Sequence, residues 1–134
     1  MSSLEVGPSP EMSPVARLKN LFEDDQKDRS SGLSENDPNL FAEREVARSR
    51  VAQELFALYE RQPELFTGEM KFDLALIFQH GKESADYQRA FQLACSSEAD
   101  GFGGAETLVK ATEDRYLMSI GQPQKWGTQS LKQN

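Results

Sequence analysis

Glu69-Met70-Lys71-Phe72-Asp73-Leu74-Ala75-Leu76-Ile77-Phe78-Gln79-His80 is the stretch on which the fold class turns, because its nearly continuous apolar run suits either a buried strand or a buried helix. Periodicity does not separate the two. Length and the Leu, Ala and Met content favour a helix packed on several sides, closed by Gly81 as a C-terminal cap.

On the N-terminal side, Asp37-Pro38 pairs an N-capping carboxylate with proline at the first helical position, which predicts a helix from there to about Arg61, before Pro63. Leu40, Phe41, Val46, Val51, Leu55, Leu58 and Tyr59 form its apolar face, with Arg44, Arg48 and Arg50 among acids on the solvated side. Before the loop Ser30 to Pro38, Val15, Leu18, Leu21 and Phe22 recur at helical spacing and predict a helix from Pro14 to Lys27. On the C-terminal side, Tyr87, Phe91, Ala94 and Cys95 mark a helix from Ser84 to Ser97. After a glycine-rich turn, Leu108, Val109, Tyr116 and Ile120 direct a helix from Ala105 to Ile120 toward a core, and Gly121 ends it. With no alternating strand pattern, the expectation is an all-α, single-domain bundle of about five short helices over residues 14–129. A mobile leader over residues 1–13 precedes it and a tail over 130–134 follows an ordered C-terminal strip.

The chain has 134 residues, enough for one core without staples. Its net charge of -7 repels phosphate backbones and anionic lipid surfaces, so neither nucleic acid nor membrane is an expected partner. Cys95 is the single cysteine, which excludes an internal disulfide and a cysteine zinc cluster and fits a reducing compartment. No run reaches the roughly 20 apolar residues that a bilayer crossing needs, and the N-terminus lacks the charged start and apolar segment of a signal peptide. The reading is a cytoplasmic protein.

Four groups of side chains could carry chemistry. His80 is the only histidine and shares a helix face with Asp73 and Ile77. If buried and unpartnered it would favour the neutral form and serve as a general base; the alternative is a helix-end histidine bonded to the last carbonyls. Gln26 and Arg29, in Asp25-Gln26-x-x-Arg29, are three apart and can reach one ligand or one carboxylate, or can simply end a solvated helix. Asp114 and Arg115 point about 100 degrees apart on a helix, so each needs a partner elsewhere. For Arg115 that partner is a carboxylate on another helix or an anionic ligand. Trp126-Gly127-Thr128-Gln129 offers an indole, backbone amides, a hydroxyl and a carboxamide that either line a pocket or latch the C-terminus to the bundle. Without paired histidines, and with Cys95 on an apolar stripe, metal and covalent mechanisms rank low, and no metal or cofactor is expected.

The order Asp25-Gln26-x-x-Arg29, an acidic position near Asp37, His80 after an apolar helix, Asp114-Arg115, and Gly121-x-Pro123-Gln124-x-Trp126-Gly127-Thr128-Gln129 resembles a family of small bacterial proteins known only as a domain of unknown function. Its pattern has Asp-Gln-x-x-Arg early, a mid-chain histidine, and a closing Asp-Arg followed by Gln-x-Tyr-Gly-Thr-Gln. The likeness spans about Leu18 to Gln129, and Trp126 stands where the family has tyrosine. The resemblance implies that Gln26, Arg29, His80, Asp114, Arg115, Thr128 and Gln129 belong to one polar cluster. It supplies no activity.

Two functions follow as expectations. In the first, the C-terminal strip folds over a pocket for a small anionic or polar ligand. His80 is its general acid or base, Asp114 or Asp25 orients the charged groups, and Gln26, Arg29, Arg115, Trp126, Thr128 and Gln129 are the binding groups. In the second, an acidic helical adaptor, inhibitor or immunity-type protein covers a basic protein partner through exposed acids such as Glu23, Asp24, Asp25 and Asp28.

Overall fold

The computed structural model describes residues 12–130. The expected leader and tail lie outside them, apart from Met12, Ser13 and Ser130. The described residues are all-α: helices α1 (Pro14–Ser30), α2 (Leu33–Asn36), α3 (Pro38–Arg61), α4 (Gly68–Gln79), α5 (Ser84–Ala99) and α6 (Ala105–Ser119), with a 3-10 turn at Pro63–Leu65 and no strand. They group into two compact units that divide, in sequence, between Phe66 and Thr67.

In the first unit, α1 starts where Ser13 accepts a hydrogen bond from the Ala16 amide at 3.2 Å and Pro14 takes the first helical position. Asp37 caps α3 in the same way, accepting from the Leu40 amide at 3.1 Å. Arg17 pairs with Glu54 and Arg44 with Asp28, so α1 and α3 run antiparallel. Leu18 and Leu21 of α1 and Ala52, Leu55, Phe56 and Tyr59 of α3 are buried, and Phe66 sets its ring edge-on to Tyr59 at 5.6 Å. Val15 and Val46 were expected on apolar faces but are 55% and 63% exposed. The buried stripes pass instead from Leu18 and Leu21 to Asp25 and Asp28, and from Arg48 to Ala52, Leu55 and Tyr59. Each stripe is polar at one end, and the antiparallel pairing brings those ends together.

In the second unit, α5 packs against both α4 and α6. The ambiguous run is a helix, opened by Thr67, which accepts from the Met70 amide at 3.2 Å. Leu74 and Ala75 are buried with Ala90, Leu93 and Ala94 of α5 and Ala105 and Leu108 of α6. The helix stops one residue earlier than expected, with His80 in the capping position. Gly81 is required there for space, because an added Cβ would lie 2.5 Å from Asp86 Oδ2. Its backbone is not left-handed, which corrects the expected cap; that conformation occurs after α6, where Gly121 has φ 81°. Because α6 ends at Ser119, Ile120 is 46% exposed and not in the expected core position. Among the described residues no helix is long and apolar enough to cross a membrane.

Candidate functional site

The first unit contains a closed ionic cluster. Arg48 is 1% exposed and donates to Glu45 at 2.7 Å and also to Asp28. Arg29 donates to Asp25 at 3.1 Å and to Glu45 at 3.0 Å, and Arg44 donates to Asp28 at 2.6 Å. The Phe41 ring lies 5.6 Å from the Arg29 guanidinium and 5.8 Å from that of Arg48. Carboxylates and guanidiniums alternate and balance in formal charge. Burial acts to raise the Asp28 carboxyl, but Arg44 and Arg48 outweigh it and hold it below its ordinary value. Burial likewise opposes the charge on Arg48, which Asp28 and Glu45 restore and push upward.

This arrangement corrects several expectations. Asp25 and Asp28 are not exposed acids, and Arg48 is not on a solvated face. Helical spacing places each on the buried stripe, and a buried charge is tolerated because its partner arrives from the other helix. Arg29 is committed to two carboxylates, and Gln26 points to the exposed side.

In the second unit Asp114, fully buried, organises the C-terminal strip. Its Oδ1 accepts from the amides of Lys125 at 2.7 Å and Trp126 at 2.9 Å. Its Oδ2 accepts from the Thr128 amide at 2.8 Å and the Thr128 hydroxyl at 2.7 Å. Burial alone would raise this carboxyl, yet the Thr128 hydroxyl and the surrounding amides hold it at about 2. A group so acidic stays ionised and carries protons poorly near neutral pH, so the geometry gives Asp114 a holding role.

Trp126 anchors the outside of the strip. Its indole N–H donates to Glu113 at 2.9 Å, and the ammonium groups of Lys110 and Lys125 lie 5.0 and 5.1 Å from its ring. Gln124 clamps the backbone of Gln129, accepting from its amide at 2.8 Å and donating to its carbonyl at 2.9 Å.

These bonds leave Arg115 beside the end of the strip. It donates to the Gln129 side-chain oxygen at 3.4 Å, a long bond, and its guanidinium lies 5.1 Å from the Tyr87 ring. Among the described arginines that are buried or half-buried, Arg17, Arg29, Arg44, Arg48 and Arg89 each pair with a described carboxylate, and Arg115 does not. One turn earlier on α6, the Ala111 carbonyl accepts from Gln129 Nε2 at 3.4 Å and from Gln79 Nε2 at 3.5 Å. Gln79 Oε1 is buried and has no hydrogen-bond partner. The site therefore combines an unneutralised cation, two carboxamides and a spare acceptor.

His80 follows Gln79 directly and is half-buried at the end of α4, where its amide donates to the Ile77 carbonyl at 3.1 Å. Asp73, on the same helix, is half-buried, and burial followed by the charge of Glu69 pushes its carboxyl up to about 6. Burial, then Glu98 and Glu113, push the Cys95 thiol up, so the thiolate is scarce. Among the described residues no group of three or more His, Cys, Asp or Glu side chains is placed to hold a metal ion.

Asp114, Arg115, Trp126, Thr128 and Gln129 thus share one region of the second unit, while Gln26 and Arg29 belong to the first. Sequence reasoning missed Gln124, Gln79 and Tyr87 as participants. Gln124 lies inside the closing motif, but nothing in its spacing marks it as a backbone clamp. No family model matches the chain, and no curated protein or solved structure matches it either.

Proposed function

We propose that the second unit binds a small ligand bearing an oxyanion, with Arg115 as the group that receives it. The observation that carries this reading is the half-buried guanidinium left without a described carboxylate in a chain of net charge -7. A half-buried guanidinium gains from a planar oxyanion, and the neighbouring carboxamide of Gln79 supplies the kind of directional contact that small polar ligands use.

His80 is the side chain of this unit suited to general acid or base work, and its neighbour Gln79 reaches α6 one turn from Arg115. On this reading the protein is a cytoplasmic ligand-binding protein, catalytic if His80 meets the bound molecule. The closing Asp114-Arg115 to Gln129 motif supports the proposed kinship with the bacterial family, whose polar pattern then describes a clasp and the site beside it.

A thermal-shift screen of carboxylate and phosphate metabolites on the full chain tests the proposal. Ligands that stabilise the protein should lose their effect in Arg115→Ala, while His80→Ala keeps binding and loses any turnover. Stabilisation unchanged in Arg115→Ala would defeat the reading. The acidic-adaptor reading keeps the net charge in its favour, but Asp25 and Asp28, two of the acids it relied on, are buried and paired.

A further inference from the structure

This inference rests on the oxyanion reading of Arg115 and concerns what occupies that position in the free protein. Gln129 is held unequally. Its backbone is fixed by the two Gln124 bonds at 2.8 and 2.9 Å, and its neighbour Thr128 is tied to Asp114 at 2.8 and 2.7 Å. Its side chain makes long bonds, at 3.4 Å, to Arg115 and to the Ala111 carbonyl, and one of ordinary length, 3.2 Å, to the adjacent Thr128 hydroxyl.

A carboxamide has the planar shape and size of a carboxylate without the charge. In this position it covers the guanidinium edge and leaves the cation unneutralised. The Tyr87 ring lies 5.1 Å from the guanidinium carbon, and the Gln129 oxygen sits at Nη1, the nitrogen an incoming oxyanion would take. If the carboxamide leaves, the Ala111 carbonyl keeps a donor in Gln79 Nε2. The exchange strands no backbone acceptor.

We propose that the Gln129 side chain is a placeholder for the ligand. It rotates away while its clamped backbone stays, and the ligand's carboxylate or phosphate takes the Arg115 edge. Closing motif residues then have separate duties: Asp114, Gln124 and Thr128 hold the strip, and Gln129 sets how readily the site opens.

The test titrates acetate and inorganic phosphate separately, at constant ionic strength, into the full chain and its Gln129→Ala, Gln129→Glu and Arg115→Ala variants. Binding is followed by NMR of the Gln129 side-chain amide and the Thr128 backbone amide. Removing the internal competitor in Gln129→Ala should tighten binding roughly fivefold. Gln129→Glu puts a carboxylate on Arg115 and should weaken binding roughly tenfold or more. In the wild type the Gln129 side-chain signals should move while the Thr128 amide stays, and the anion that responds identifies the oxyanion type.

Should Gln129→Ala loosen the strip, the Thr128 amide reports it and Gln129→Glu carries the test. Equal or weaker binding in Gln129→Ala with an intact strip, or undiminished binding in Gln129→Glu, overturns the placeholder while leaving Arg115 as receptor. If Arg115→Ala binds as the wild type does, or neither anion binds any form, the oxyanion reading falls and the placeholder with it.

Discussion

A carboxylate buried without a cation is costly unless donors surround it, and Asp114 has four. Its carboxyl, at about 2, lies below the ordinary 3.8, so its contribution to stability is present above the ordinary value and is lost as pH falls through about 2. Asp114→Asn exchanges one acceptor oxygen for a donor that faces other donors. It should cost about 2–4 kcal/mol, release the strip, and show as a changed Trp126 fluorescence and fast exchange of the Thr128 amide. Unchanged exchange would mean that the strip is held by Trp126 and Gln124 alone. Asp73 has the opposite sign. Burial and Glu69 raise its carboxyl to about 6, so its favourable contribution is present below the ordinary 3.8 and is lost as pH rises through about 6. Asp73→Asn should therefore stabilise the protein at neutral pH by roughly 1–2 kcal/mol and flatten the loss between about pH 4 and 6, measured by denaturant unfolding across that range.

Helices α1 and α3 show how stripes of equal spacing can carry different chemistry along their length. Leu18 and Leu21 give way to Asp25 and Asp28, and Arg48 gives way to Ala52 and Leu55, so an apolar pairing continues into an ionic one. Removing one member leaves the others buried without a counter-charge. Arg48→Ala should destabilise by about 3–5 kcal/mol, whereas Glu54→Ala, at the half-exposed Arg17 pair, should cost under about 1 kcal/mol in the same denaturation assay. Similar losses for the two would show the cluster to be energetically ordinary. Helix starts were legible because their signals are local: Pro14 and Asp37-Pro38 act through their own backbone, whereas most stops shifted by one to three residues, α1 running to Ser30 and α5 to Ala99 past the expected Lys27 and Ser97. The burial of Asp25, Asp28 and Arg48 was not legible, since a charged residue at stripe spacing is buried only when a partner helix supplies its counter-charge. The short α2 lacks an apolar repeat that could announce it.

At the scale of the whole chain, the two units handle charge in contrasting ways. The first closes its arginines on carboxylates until none is left over within the cluster, and the second spends the Asp114 carboxylate on backbone amides and the Thr128 hydroxyl and leaves Arg115 with a carboxamide. The closing motif was legible as polar and ordered, but the division between clasp and site was not, because Asp114 and Arg115 have the same spacing to the strip and differ only in direction. The most direct test of the account is calorimetric titration of the full chain with the best-binding carboxylate or phosphate from the screen, at fixed ionic strength, alongside Arg115→Ala and Arg115→Lys. Saturable binding that Arg115→Ala abolishes and Arg115→Lys weakens by roughly tenfold is the predicted result. Equal affinity in all three proteins would contradict it.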